Sequence, residues 1–342
     1  MKSNYYTNEP YLIAETAYSF EGDSIYLMDQ ITQLSEEVDA VKFHMMFNLN
    51  EYMVKKHSVY NLLENWLLTE KEWKEILVKS KARGFDVIVL VDDFESVEFC
   101  MNNNELVDAI EIHAACINDK ALMDKAIDFV NEYKKLFVVG ISGFEIEELD
   151  NVYNYLLSKK INETLMVYGF QNYPTKIEEV NLKKIPYFRE RYKTKIAYAD
   201  HTEYNSSLKS ELIMSAYTLG ANVQEIHYVI DEGVERTDYI TAINNHKLVD
   251  MKMLLKRVGS FLGDGNPSLS EGEKNYLKVR KVPVLAESVK KGECLSENHV
   301  MFKRVDRTEE SYKFGEAEKY LGKRFVDDFE YEDQIKKIMF EE

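Results

Sequence analysis

The stretch AIEIHAACINDKALMDKAIDFVNEYKKLFVVGIS, residues 109–142, reads as strand, helix, strand. AIEIHA (109–114) is a short β-rich run, and the apolar positions of DKALMDKAIDFVNEY (119–133) recur at helical spacing. KLFVVGIS (135–142) is β-rich again. A strand returning through a helix lies parallel to the strand it left. The same alternation continues in both directions. Upstream lie YLIAET (11–16), AVKFHM (40–45) and DVIVLVD (86–92), with the helical TEKEWKEILVKSKARG (69–84) before the last of these. Downstream lie TLMVYGF (164–170), KIAYADH (195–201) and NVQEIHYV (222–229). Eight such units predict an α/β chain closed into a (β/α)8 TIM barrel over residues 1–264. An open doubly wound sheet is the competing architecture, but no GxGxxG follows the first strand to favour it.

A last barrel helix is expected at about 244–261, followed by GDGNPSLSEGE (263–273), which reads as the start of a linker over 265–279. Beyond it, VRKVPVLAESVKKGECLSENHVMFKRV (279–305) changes to short strands and turns. A small β-rich domain is expected over 280–342.

Composition narrows the function classes. The 342 residues carry 43 Lys and Arg against 60 Asp and Glu, a formal charge of −17, which opposes nucleic-acid and anionic-membrane binding. The apolar runs are strand-length, and MKSNYYTNEP lacks an apolar signal region. Cys100, Cys116 and Cys294 show no CxxC spacing, so neither a disulfide framework nor a zinc ribbon is indicated and a reducing cytoplasm is expected. The 23 Tyr and 17 Phe are expected to fill the core. Segment 46–68 is long for a strand-to-helix loop and suggests a lid or a dimer contact.

In a TIM barrel the chemistry sits at the C-terminal ends of the strands, where side chains alternate inward and outward. Glu15 ends the first strand. Lys42 and His44, Glu111 and His113, and Glu225 and His227 are three pairs spaced two apart, each pair sharing one face of its strand. Asp92 and Asp93 end the third strand, and Asp200 and His201 the seventh. Of the seven histidines, His44, His113, His201 and His227 fall at strand ends, whereas His57, His246 and His299 lie in loops or helix starts. Each residue taken singly reads as a satisfied barrel polar group; the set converging on one mouth reads as a functional site. His201 and His227 are the expected metal ligands, because imidazole suits Mn²⁺, Fe²⁺ or Zn²⁺ and a carboxylate completes the shell. Cys116 reads as a small passive residue.

Several motifs resemble the sialic acid synthase family across essentially the whole chain. YLIAET followed by Gly22-Asp23 is similar to its opening strand and turn, and DAVKFH (39–44) to its Asp-Ala-Val-Lys-Phe-Gln signature. NYPT (172–175), Asn181-Leu182, ADHT (199–202) and EIHY (225–228) follow in order, and 282–304 resembles the family's C-terminal antifreeze-like domain. The resemblance implies a homodimer in which each antifreeze-like (SAF) domain caps the partner's barrel. It implies an Mn²⁺-type metal and condensation of phosphoenolpyruvate with an N-acetylmannosamine-like aldose to a sialic-, legionaminic- or pseudaminic-type nonulosonic acid. Under it, His201 and His227 hold the metal, and Glu15, Tyr173 and Asp238 contact the sugar, with Glu15 activating water or the aldehyde. Arg304 contacts the sugar's acyl group, and Lys42 is one of two lysines holding phosphoenolpyruvate.

The chain departs from the family pattern around that second ligand. Where the family has Lys-Ile-Gly-Ser-Gly-Glu, this chain has EIHAAC, so the second lysine is Glu111, the serine Ala114 and the glutamate Cys116. Ser-Thr-Pro-Phe is VDDF here, placing Asp92 at a phosphate-contacting threonine, and Ala199, Gln171 and His44 replace Ser, Asn and Gln. RVD (304–306) stands for Arg-Pro-Gly. The sugar and metal side is retained, and the phosphoenolpyruvate side is rebuilt, with His44, Asp92, Glu111 and His113 as its candidate binding and acid–base groups. Two alternatives therefore stand beside the synthase: a metal enzyme acting on a sugar or sugar acid without phosphoenolpyruvate, and a non-catalytic sugar-binding relative.

Overall fold

A computed structural model of the chain describes residues 1–342 other than 8, 162, 307–311 and 342. The chain divides into two compact units, Met1–Asp264 and Gly265–Glu342.

The first unit is a closed barrel of eight parallel strands in sequence order. These are β1 (Tyr11–Glu15), β2 (Ala40–Met45), β3 (Asp86–Val91), β4 (Ala109–Ile112), β5 (Leu136–Gly140), β6 (Thr164–Tyr168), β7 (Lys195–Asp200) and β8 (Val223–His227). Each coincides with a run expected from the sequence. Closure pairs β8 with β1, setting His227 opposite Glu15, while β2 sets Lys42 opposite Glu15 on the other side. Outward-facing Leu12, Val41, Phe43, Val89, Ile110 and Ile112 are buried against the helical layer. The helices that cover them are fixed by local signals. Thr69 and Glu72 form a capping box at the start of Glu70–Ala82, and Asp119 and Asn244 cap Lys120–Tyr133 and Asn245–Leu262.

The inner face is layered. Tyr11, Ile13, Ala40, Ile88, Ala109, Leu136, Val138 and Val223 belong to a buried apolar plug. Two residues further along, the same face becomes charged at Glu15, Lys42, Glu111 and Glu225; two further still it carries His44, His113 and His227. The period of two raises each layer by one storey.

Segment 46–68 forms two short helices, Leu49–Tyr52 and Tyr60–Glu64, around its own small apolar cluster of Met46, Leu49 and Tyr60. Lys55, Lys56 and His57 are exposed.

The second unit starts earlier than expected. Within the expected linker 265–279, Glu271–Leu277 is helical, because Ser270 and Glu273 form a reciprocal capping box. The Gly and Pro residues that suggested a linker lie before this cap. Strands β9 (Lys281–Leu285) and β10 (Val300–Arg304) then pair antiparallel. Leu285, Val289, Leu295, Phe325, Ile335, Met339 and Phe340 form the core of this unit.

Candidate active site

Ten of the polar residues singled out in the sequence line one cavity of about 240 Å³ at the C-terminal end of the barrel: Glu15, Lys42, His44, Glu111, His113, Tyr173, His201, Glu225, His227 and Asp238. Their convergence follows from strand parity, since residues two apart on neighbouring parallel strands share the inner face. The same parity turns two other acids away. Asp93 caps the helix Phe94–Asn102 and accepts from the amides of Phe47 and Asn48. Asp200, one residue out of step with His201, is buried against Lys209 at 2.5 Å and accepts from the Tyr198 hydroxyl. Arg304 ends β10 in the second unit and is exposed.

Glu15, His201 and His227 bring three donor atoms within 4.8 Å of one another. Both imidazoles are oriented through their far nitrogens. His201 Nδ1 is 3.2 Å from the Ala199 carbonyl, so that nitrogen donates and Nε2 keeps its lone pair. His227 Nδ1 is 3.0 Å from Thr241 Oγ1, which lies 3.1 Å from the Tyr173 hydroxyl, and His227 Nε2 faces Glu15 at 3.4 Å. Burial, then the neighbouring His227, hold His201 well below the ordinary histidine value, so it is a neutral ligand. One carboxylate and two imidazoles whose donor atoms converge on one point fit a divalent cation. The backbone around His201 is pinned as well: Lys209 Nζ donates to the Thr202 carbonyl at 2.9 Å, and the Thr175 amide to the His201 carbonyl at 2.7 Å.

The Lys42 ammonium sits in a cage of carboxylates. Its Nζ is 2.9 Å from Glu111, 2.9 Å from Glu225 and 3.5 Å from Glu15. Burial opposes the ammonium, but Glu111, Glu15 and Glu225 outweigh it and hold Lys42 well above the ordinary lysine value. Among the carboxyls, burial pushes Glu225 well up despite Lys42, with Glu15 and Glu111 adding to the rise, while Lys42 and His227 overcome burial to hold Glu15 well down. Glu15 is therefore the anion and Glu225 the proton holder. Even so, Lys42 is the one Lys or Arg lining the cavity among the described residues, and the ionised Glu15 already matches its charge. Burial, against Lys42, raises Glu111 above the ordinary carboxylate value, and an anion brought to ~4 Å of its ionised form meets about 4 kcal/mol of repulsion at an effective dielectric near 20.

Asp92 lies behind His44. Its Oδ2 is hydrogen-bonded to His44 Nε2, and its Oδ1 accepts from Cys116 Sγ at 3.4 Å. Burial opposes charge on His44, but Asp92 outweighs it and raises the imidazole above its ordinary value. His113 behaves oppositely: burial, then the nearby His44, lower it to about 4.

Phe170, with Ser142 and Gly169 that seat its loop, and Thr241 were not singled out in the sequence. Phe170 stands 4.9 Å from the His201 ring, edge-on. Its loop is seated by Ser142 Oγ, which accepts from the amides of Gly169 and Phe170 at 3.3 and 3.1 Å. Gly169 is required there, since its φ is +143° and an added Cβ would meet the Ala199 carbonyl oxygen at 1.9 Å. Thr241 follows β8 with no strand-end signal. Glu225 was visible through its spacing from His227, but its partner Lys42 lies 183 residues away.

The model of the NeuB family matches residues 29–267. The chain belongs to the NeuB family. The kinship suggested by the strand-end motifs is thereby borne out. Among relatives, an N,N'-diacetyllegionaminic acid synthase of Campylobacter jejuni is 26% identical over 343 residues, covering 95% of this chain and 98% of that protein. A pseudaminic acid synthase of Campylobacter jejuni is 26% identical over 322 residues, covering 92% and 86%. An uncharacterised protein of Methanocaldococcus jannaschii is 24% identical over 300 residues, covering 87% and 85%. Two solved structures share the NeuB-family fold. A protein from Chromobacterium violaceum assigned to spore coat polysaccharide biosynthesis superposes with a TM-score of 0.82 at 21% identity, covering 98% of this chain and 100% of that one. An N-acetylneuraminic acid synthetase from Leptospira borgpetersenii does so with a TM-score of 0.70 at 19% identity, covering 79% and 91%.

Proposed function

We propose that this NeuB-family chain is a metal-dependent synthase that condenses phosphoenolpyruvate with an N-acetylmannosamine-type aldose to a nonulosonic acid of the sialic, legionaminic or pseudaminic class. The observation that carries the reading is the Glu15–His201–His227 cluster, with both imidazoles oriented for a cation, at the barrel mouth of a NeuB-family chain. Glu15, His201 and His227 would hold a divalent ion, Mn²⁺ in this proposal, which would supply Lewis-acid polarisation of the sugar aldehyde. The protein's own groups do the rest. The Tyr173 hydroxyl and Asp238 offer a donor and an acceptor to sugar hydroxyls beside the cluster, and Phe170 covers an apolar face of the sugar. Glu15, kept ionised, accepts a hydrogen bond from the sugar or from the water that adds to the co-substrate. Lys42 orients the co-substrate carboxylate from the cavity floor. Among the described residues no helix is long and apolar enough to cross a membrane; a cytoplasmic location is part of this proposal. A homodimer is part of the same proposal, measurable by light scattering.

The direct test incubates Mn²⁺-loaded protein with phosphoenolpyruvate and a panel of N-acetylated aldoses, following phosphate release and product mass. Metal-dependent phosphate release with a matching nine-carbon product supports the proposal. Absence of turnover across the panel, with the metal bound, overturns it. The caged Lys42 and the acid at Glu111 favour a second reading, in which the same aldol chemistry runs on a co-substrate without a phosphate.

A further inference from the structure

The co-substrate wall offers little to a phosphate. Its one ammonium is engaged by three carboxylates, and the positions at Ala114 and Ala199 carry no hydroxyl. What it offers instead is an imidazole–carboxylate pair. His44 gives its Nε2 to Asp92, so Nδ1 is the nitrogen left for the cavity that His44 lines. The ring is held from two sides. Tyr18 packs on it at 4.3 Å between centroids, and Asp92 is itself fixed by the Cys116 thiol. His113, 6.2 Å from His44, accepts from the Ala115 amide at its Nδ1 and so presents Nε2–H as a donor. A base and a neutral donor on one wall are the two groups needed to make an enolate from a carbonyl compound.

We propose that the His44–Asp92 pair gives this site a second activity, reversible aldol chemistry with a phosphate-free 2-oxo acid of the pyruvate class. It rests on the aldol reading above. His44 Nδ1 takes a proton from C3 of the 2-oxo acid, and the C–H electron pair becomes the C2–C3 π bond, with charge on the C2 oxygen that His113 Nε2–H faces. The C2–C3 π pair then forms the bond from C3 to the aldehyde carbon, and the pair on the C2 oxygen restores the C2 carbonyl. The carbonyl π pair moves to the aldehyde oxygen, which takes the proton back from His44. Nothing is oxidised or reduced, and no co-reactant is consumed. In reverse, the same groups split a nonulosonic acid into an aldose and a 2-oxo acid. Such a donor carries one carboxylate charge, which Glu111 opposes far less than a phosphate ester. His44 is the catalytic residue of this step, and Asp92 a positioning residue acting through it.

The test uses the full-length, Mn²⁺-loaded chain with pyruvate in D₂O, following loss of the methyl signal by proton NMR. Phosphoenolpyruvate-dependent phosphate release is measured on the same preparation. Exchange that requires the protein is expected, falling roughly 100-fold or more in His44→Gln. Asp92→Asn, the second variant, is expected to retain a measurable rate with its pH optimum displaced. Metal content and thermal midpoint are compared across all three proteins, so that loss of folding is separated from loss of the base. No exchange above Mn²⁺ alone, in protein that releases phosphate, overturns this inference and leaves the synthase standing; absence of both overturns both. Exchange unchanged in a folded His44→Gln also overturns the assignment.

Discussion

The wall built by β1, β7 and β8 and the wall built by β2, β3 and β4 use the same strand-end positions of one barrel. On the first, the polar groups work toward a single point. Ala199 and Thr241 turn His201 and His227 so that their lone pairs meet beside Glu15. On the second, the polar groups are paired, Lys42 with Glu111 and, across the cavity, with Glu225 of β8, and His44 with Asp92. A wall whose donors point outward awaits a ligand, whereas a wall whose charges are paired selects by what it refuses. On the proposed reading, this contrast locates the chain's individuality in the wall of β2, β3 and β4.

The hardest blow to the contrast would come at the first wall. His201→Ala is expected to abolish tight metal binding and lower synthase turnover by more than ~100-fold, the upper end of what outer residues contribute. Metal analysis after gel filtration checks the first claim, and retention of a full equivalent would remove the cluster's role. Next is the clamp behind it. Lys209→Met leaves Asp200 buried and unpaired, and a cost of about 3–5 kcal/mol in unfolding free energy is expected from denaturant titration. Thr241→Val should weaken metal binding about 10–100-fold with little change in stability, because it frees the His227 ring. On the second wall, Glu111→Gln is expected to lower the KM for phosphoenolpyruvate about tenfold, ~1.4 kcal/mol of relieved repulsion. An unchanged KM would mean that the acid does not face the co-substrate.

A last effect, on stability rather than activity, concerns His113. Its folded pKa lies near 4 against an unfolded value of 6.5, so between these limits the unfolded chain binds the proton that the folded chain refuses. Stability from this group is complete above about pH 6.5 and is lost as pH falls toward 4, by at most ~3 kcal/mol. His113→Asn should flatten that part of the unfolding profile, and an identical slope in both proteins would contradict the buried, neutral imidazole.

The barrel was legible because each strand carries a compact β-rich run and the helices between carry their own caps. The helix at Glu271–Leu277 was not, because the Gly and Pro residues before it outweighed the Ser270–Glu273 signature. Within the site, residue spacing alone places His44, Glu111, His113 and His227 on the inner face. The same rule, carried one residue further, turns Asp93 and Asp200 outward, although both sit in acidic strand ends that look alike in sequence. The cage around Lys42 and the seating of Asp92 behind His44 could not be read. Each depends on the azimuth at which distant strands meet once the barrel closes, and no local pattern records that angle.

The apolar plug at the base of the barrel has a kinetic consequence. Tyr11, Ile13, Ala40, Ile88 and Ala109 seal that end, leaving a blind chamber. In the proposed reaction, a co-substrate seated against Lys42 would have to arrive before the sugar and leave after it. A single doorway would then impose a queue, with the aldose adding second, which initial-rate kinetics at varied aldose would reveal as obstruction of the co-substrate by excess aldose.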